Sequence, residues 1–380
     1  MDLDFLKKYI YPVATLSGAI IGVGFFALPF IAMKAGAWLM LFYFLILTSL
    51  VIVIHLIFSE ISLKTPDFKR LPGFVKYHLG KWPGRISLVS NMIGYFALLL
   101  VYLVVGSSFL TNIFFPVLGG NQFHYAIIYS CLAGLLIYFG IKIISKVELA
   151  VLCFLIICLL AVFISGFSQI KIENIFAWGT GSGIWNLFLP YGAVMFALWG
   201  VGIIPEVEEM LGSHSAPRGN KKILKKAIIA GTLIPAFVYI IFTFGILSIS
   251  GQETTETAFE GLKNFLGAGI ISLGFLLGVV TTFVGFIISG LTLRKILNYD
   301  LGVKKLHAFV ITCFVPLILF LLGLNSFVAL VSFIGGILLG IDGIFILLMY
   351  KKIGGKNIIV YPLSLVFLLG VIYEIIYFVK

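Results

Sequence analysis

The 380-residue chain is 61% hydrophobic and only 11% charged, with a mean hydropathy of +1.17. That excludes a water-soluble domain, in which about half of the residues are apolar and about a quarter charged. A net charge of +11 would suit a nucleic-acid ligand in a soluble protein, but in an apolar chain its meaning depends on where the cations lie relative to the bilayer.

Apolar runs of about twenty residues are long enough for helices that cross a bilayer. They predict eleven spans, over 10–33, 38–62, 86–112, 124–145, 147–168, 185–208, 223–249, 265–293, 306–323, 326–349 and 358–378. The first run contains Pro29 and lacks a cleavage context, so it is expected to stay in the mature protein. With the N-terminus cytoplasmic, all of the 26 Lys and Arg except Lys34, Lys171, Lys263 and Lys380 fall at inner ends and loops. The positive-inside bias therefore predicts a multi-pass protein of the cell's inner (plasma) membrane with its C-terminus outside. The basic excess then calls for lipid and no nucleic-acid partner. Cys131, Cys153, Cys158 and Cys313 sit in apolar runs, spaced like neither a disulfide framework nor a zinc motif, and read as packing residues.

Two segments interrupt the pattern at matching places. The first span contains Ser17-Gly18-Ala19-Ile20-Ile21-Gly22-Val23-Gly24 and then Pro29. The sixth contains Phe196-Ala197-Leu198-Trp199-Gly200-Val201-Gly202 and then Pro205-Glu206. Glycine is costly in a helix interior and proline removes a backbone donor, so both helices are expected to be discontinuous near mid-membrane. Five spans separate the breaks. Residues 10–168 and 185–349 could thus be two copies of opposite topology, with 358–378 peripheral, in a single transport domain over 1–380. The loop 64–85 is expected to be partly structured. The segment from Gly251 to Leu262 reads as a short amphipathic helix or as a solvated loop.

A break in hydrocarbon must line a cavity or meet a ligand. The N-H groups of Gly22, Val23 and Gly24 would face a carboxylate at the positive end of a half-helix. Carbonyls near Ile20, Phe196 and Leu198 would accept from an ammonium group. The complementary ligand is an α-amino acid zwitterion. Against this stands simple tight helix packing by glycine.

The first-span motif, the run Gly200-Val201-Gly202-Ile203-Ile204-Pro205-Glu206-Val207-Glu208-Glu209, and the stretch from Thr281-Thr282-Phe283 to Asp300-Leu301-Gly302 resemble bacterial members of the amino acid/auxin permease family. The aromatic amino acid permeases, within the amino acid-polyamine-organocation superfamily, are the nearest branch. The resemblance implies an all-α polytopic LeuT-type fold, a five-plus-five inverted repeat with an eleventh helix, in which spans 1, 2, 6 and 7 rock as a bundle. It places substrate at Val23, Gly24, Phe196, Leu198 and Trp199, with Gly200 and Gly202 in the same motif and Tyr95 or Tyr102 as an occluding aromatic. It also implies a sodium site at Gly18, Ile21, Thr281 and Thr282. A second sodium site is not expected, because Ala19 stands where sodium-coupled relatives have an amide. Sodium or protons remain as coupling ions. No other cofactor is expected.

Among intramembrane ionisable residues, Glu206, His55 and Asp342 are candidates for coupling or gating, since buried charge usually faces a cavity or a partner. Glu208 and Glu209 read as solvated. The chain has no P-loop and no metalloprotease cluster, so the expectation is a secondary active amino acid importer and not an enzyme. The alternatives are an amino acid sensor on the same fold, or a transporter of a polyamine or nucleobase.

Overall fold

The computed structural model describes residues 9–66, 70–139, 144–177, 187–212 and 218–379, and the side chains of all but 144–152 and 218–220 among them. Lys7, Lys8, Lys69, Lys142 and Lys380, used in the charge reading, lie outside the described residues. Among those described, the regular elements are all helical.

The first predicted span is broken. Helix α1 (Tyr11–Ile20) gives way to a 3-10 turn over Val23–Ala27 and then to α2 (Leu28–Ala35), with a bend of 49°. Gly36, at φ 94°, turns the chain into α3 (Ala37–Leu63). The amphipathic α4 (Leu71–Leu79) fills most of the 64–85 loop and docks Phe74 on Phe58 at 5.2 Å. The long α5 (Lys81–Leu118), α6 (Gln122–Phe139) and α7 (Ile144–Gly166) follow. The sixth predicted span is α8 (Leu189–Leu198), a 3-10 turn over Val201–Ile203, and α9 (Ile204–Met210). Then come α10 (Arg218–Ser250), α11 (Ala268–Lys295) and α12 (Lys305–Leu321). The chain continues through α13 (Phe327–Ser332), a π-helical stretch over Phe333–Leu338 and α14 (Leu339–Lys352), and ends with α15 (Asn357–Val379).

Proline sits in the first turn of α1, α2, α8 and α9. There its missing N-H has no intrahelical acceptor to lose and its fixed φ suits the helix. Pro29 and Pro205 therefore start the second half-helices and do not themselves form the breaks.

Eight helices among the described residues are long and apolar enough to cross a membrane, or nine if the bent first pair is one span. Shorter apolar helices, Cys153–Gln169 and Lys305–Leu321, lie where two further spans are predicted. The helices form two packed groups: α1, α2, α3, α8 and α10 against one another, and α5, α6, α7, α11 and α12 likewise, with α13 to α15 alongside α3 and α8. A Cβ on Gly335 would run into the Gly192 carbonyl, so the π-helical stretch and α8 touch backbone to backbone.

The segment from Gly251 to Leu262 is neither an amphipathic helix nor a solvated loop. It makes two short 3-10 turns and buries Thr254, Ala258, Phe259 and Leu262. Phe259 lies 5.5 Å from the Phe26 ring, and Glu260 Oε1 accepts from Ser108 Oγ at 2.6 Å and Asn112 Nδ2 at 2.8 Å. Packing and polar anchors on α5 hold it down where helical periodicity alone would not.

Candidate functional site

At the first break, Ile21 N-H donates to Ser17 O at 2.9 Å, and Gly22 N-H turns back to Ile20 O at 2.8 Å. Gly22 is extended and ends the α-helical ladder. Gly22 N-H is therefore already paired, while the N-H groups of Val23 and Gly24 open the 3-10 turn with no carbonyl of that turn ahead of them. Ile20 O also accepts from Tyr239 Oη at 2.8 Å, so it is doubly engaged. A Cβ on Gly24 would lie 2.6 Å from the Phe196 ring and 3.2 Å from Ala197 Cα. This glycine lets the two breaks touch, while it also lines the cavity.

At the second break, Trp199 is extended and Gly200 N-H donates to His55 Nε2 at 3.0 Å. His55 is fully buried, and its Nδ1 lies 3.0 Å from Thr232 Oγ1. Because Gly200 N-H can only donate, Nε2 is the acceptor and the neutral ring carries its proton on Nδ1. Gly200 packs against Ile20 and Leu16, and Leu198 is fully buried; neither lines the cavity. Gly202 does line it.

The breaks face a cavity of about 650 Å³, whose walls include Gly22, Val23, Gly24, Ile20, Phe196 and Trp199 from the two broken helices. Tyr95 and Tyr102 on α5, and Ile334, Leu338 and Asp342 from the π-helical stretch and α14, complete it. The cavity runs to Arg70, Glu206 and Glu209 at the face where α3 ends. Toward the opposite face the fully buried rings of Phe25, Phe26, Phe109 and Phe259 close the path. Asp342 is 6% exposed, and its Oδ1 has no partner among the described residues. Glu208 is buried and not solvated, whereas Glu209 stands at the mouth.

A side cavity of about 320 Å³ joins the first and brings together Gly18, Ile21 and Thr281. Thr282 faces the other way: its Oγ1 donates to Gly278 O at 2.8 Å and sits against Gly106 on α5. Val284 and Gly285 beside Thr281 offer no side-chain oxygen, but Ser289 and Thr292 further along α11 line the same cavity with hydroxyls. Thr281 Oγ1 and the carbonyls of Gly18 and Ile21 supply three oxygens, about half the shell a hard cation takes.

Sequence reasoning missed Tyr239, which bridges both breaks from α10, and Arg70 at the cavity mouth. Nothing in the residues around Tyr239 marks it among the 16 tyrosines. It also missed Glu374 on α15, 1% exposed and packed against Gly192 and Gly336.

The family model for tryptophan/tyrosine permeases matches residues 7–357. The chain belongs to the tryptophan/tyrosine permease family. No curated protein sequence matches this permease. Among solved structures, it is similar to Mhp1, a nucleobase-cation-symport-1 family transporter in a closed conformation with bromovinylhydantoin bound. The identity is 13%, the coverage 97% of this chain and 90% of that one, and the TM-score 0.65. It is also similar to MhsT in complex with L-phenylalanine, at 12% identity, 98% coverage of both chains and TM-score 0.59. A manganese transporter of Eremococcus coleocola matches at 12% identity over 98% of this chain and 86% of that one, with TM-score 0.65. The permease thus has the LeuT-type transporter fold and is a multi-pass membrane secondary transporter, not an enzyme.

Proposed function

We propose that this permease carries an aromatic amino acid, tryptophan or tyrosine, by alternating access coupled to a proton gradient, and imports it. The observation that carries the reading is the pair of breaks facing one cavity, with Gly24 against Phe196 and Ala197. The free N-H groups of Val23 and Gly24 suit a carboxylate, and the opposing backbone at Phe196 suits an ammonium group. Phe196, Trp199, Tyr95 and Tyr102 offer ring faces to an aromatic side chain, and about 650 Å³ lies within the usual size of small-molecule sites. The family's printed name, and the L-phenylalanine held by MhsT, favour the same substrate class.

Eleven spans in a five-plus-five repeat account for the two matching breaks, and the positive-inside bias puts the open mouth at Arg70, Glu206 and Glu209 on the cytoplasmic side. In this reading the conformation is inward-facing. Protons are favoured as the coupling ion because three carboxylates, Asp342, Glu206 and Glu209, line the main cavity.

The test is uptake of labelled tryptophan, tyrosine and phenylalanine into proteoliposomes under separately imposed proton and sodium gradients. Concentrative uptake under protons alone supports the whole reading. Uptake under sodium alone overturns the coupling and returns attention to Thr281. Binding without uptake under either gradient makes the protein a sensor.

A further inference from the structure

A broken helix in a bilayer leaves backbone groups that lipid cannot satisfy, so each must find a partner in the protein, the cavity water or the substrate. Every α-helical bond joins a carbonyl to the N-H four residues on. At the first break one such pair is Ile20 O and Gly24 N-H; at the second, one is Phe196 O and Gly200 N-H. In each case a side chain from behind the break engages one member. Tyr239 Oη donates to Ile20 O at 2.8 Å and also reaches Ala197 O at 3.2 Å. His55 Nε2 accepts from Gly200 N-H at 3.0 Å. The members left over are a donor, Gly24 N-H, and an acceptor, Phe196 O. They belong to residues that line the same cavity and touch each other.

Tyr239 and His55 are both fully buried and neither lines the cavity, so neither meets substrate. Their places are fixed independently of it. The Tyr239 ring stacks on Phe25 at 5.9 Å with 10° between planes, and His55 is anchored by Thr232, whose own hydroxyl donates to Ile228 O at 2.9 Å.

We infer that Tyr239 and His55 are a matched pair of positioning residues: Tyr239 frees Gly24 N-H to receive the substrate carboxylate, and His55 frees Phe196 O to receive its ammonium group. Without the phenol, Ile20 O keeps its bond from Gly22 N-H but has a second lone pair open to recapture Gly24 N-H; without the imidazole, Gly200 N-H is open to recapture Phe196 O. Each loss falls on one end of the zwitterion. The inference rests on the proposed amino acid substrate and names the residues that build its main-chain site.

The experiment is competition binding to the purified full-length protein with three probes: tryptophan, tryptamine, which lacks the carboxylate, and indole-3-propionate, which lacks the ammonium group. Tyr239→Phe keeps the ring and its stack. It is expected to shrink the preference for tryptophan over tryptamine about tenfold while leaving the preference over indole-3-propionate within about twofold. His55→Leu is expected to do the reverse. A merely structural role would weaken all three probes alike, and that result would overturn the inference, as would unchanged ratios. Ser17→Ala removes a 3.2 Å hydrogen bond from α1 to Gly231 O on α10 outside these pairs, and should leave both ratios unchanged. Should Tyr239→Phe not purify, 4-aminophenylalanine at position 239 retains a para donor and must keep the wild-type ratios; a shifted tryptamine ratio there counts against the inference. If the wild-type protein binds none of the amino acids, the proposed substrate fails; if it binds tryptophan but the ratios do not move as stated, only the positioning roles fail.

Discussion

The backbone N-H of Gly200 donates to His55 Nε2 at 3.0 Å, tying the break of one helix to the middle of another. His55 Nε2 cannot take a proton without giving up that bond, and Nδ1 is turned to Thr232 Oγ1. This geometry suits a fixed neutral bridge and not a proton carrier. His55→Gln offers an amide oxygen to Gly200 and an amide N-H to Thr232, so proton-driven uptake should persist with an unchanged pH profile. Uptake measured across pH checks this. Lost accumulation with retained substrate exchange would make His55 the carrier.

Asp342 is the buried cavity carboxylate whose Oδ1 lacks a partner among the described residues. Asp342→Asn keeps the shape and removes the titratable proton. It is expected to abolish accumulation driven by a proton gradient while leaving counterflow exchange of labelled substrate within about threefold of wild type. Loss of both activities would point to substrate binding or folding and not to coupling.

Gly24 and Gly202 share one wall but not one environment. A methyl at Gly24 would meet the Phe196 ring at 2.6 Å, whereas one at Gly202 would have nothing within 4 Å. Overpacking of this kind costs about 1–3 kcal/mol, so Gly24→Ala should weaken substrate binding roughly tenfold or more. Gly202→Ala should change binding less than about threefold. Binding isotherms on purified variants, with thermal unfolding as the control for folding, compare the two.

Thr281 and Thr282 separate the side cavity from simple helix packing. Thr281→Val removes a hydroxyl from the side cavity that Gly18 and Ile21 also line, and is expected to lower the transport rate with little effect on stability. Thr282→Val removes a buried hydroxyl that bonds back to its own helix, worth about 1 kcal/mol, and should lower the unfolding temperature slightly without changing KM. Paired uptake and melting measurements read both. A kinetic defect in Thr282→Val alone would restore that residue to the site.

Much of the fold was legible because membrane helices announce themselves one segment at a time. Long apolar runs and the two Gly-Val-Gly motifs located the helices and both breaks from composition alone. The candidate site was legible only in part. Val23, Gly24, Phe196, Trp199 and Asp342 do meet at one cavity. Leu198 and Gly200 stand beside the second break but turn away from the cavity, because which face of an unwound segment meets the ligand depends on the helices behind it. Thr282 shows the same limit, since two neighbours in sequence lie on different faces of one helix. The segment from Gly251 to Leu262 reads as polar yet is buried, because its partners on α5 are more than 140 residues away.

By itself the sequence determined that this chain lives in a bilayer, where its helices break and which backbone groups are thereby exposed, since hydropathy, glycine and proline act locally. Only the tertiary structure decided which of those groups are already satisfied. That depends on Tyr239 and His55 arriving from helices distant in sequence, and a hydrogen bond between remote residues is set by packing and leaves no local mark.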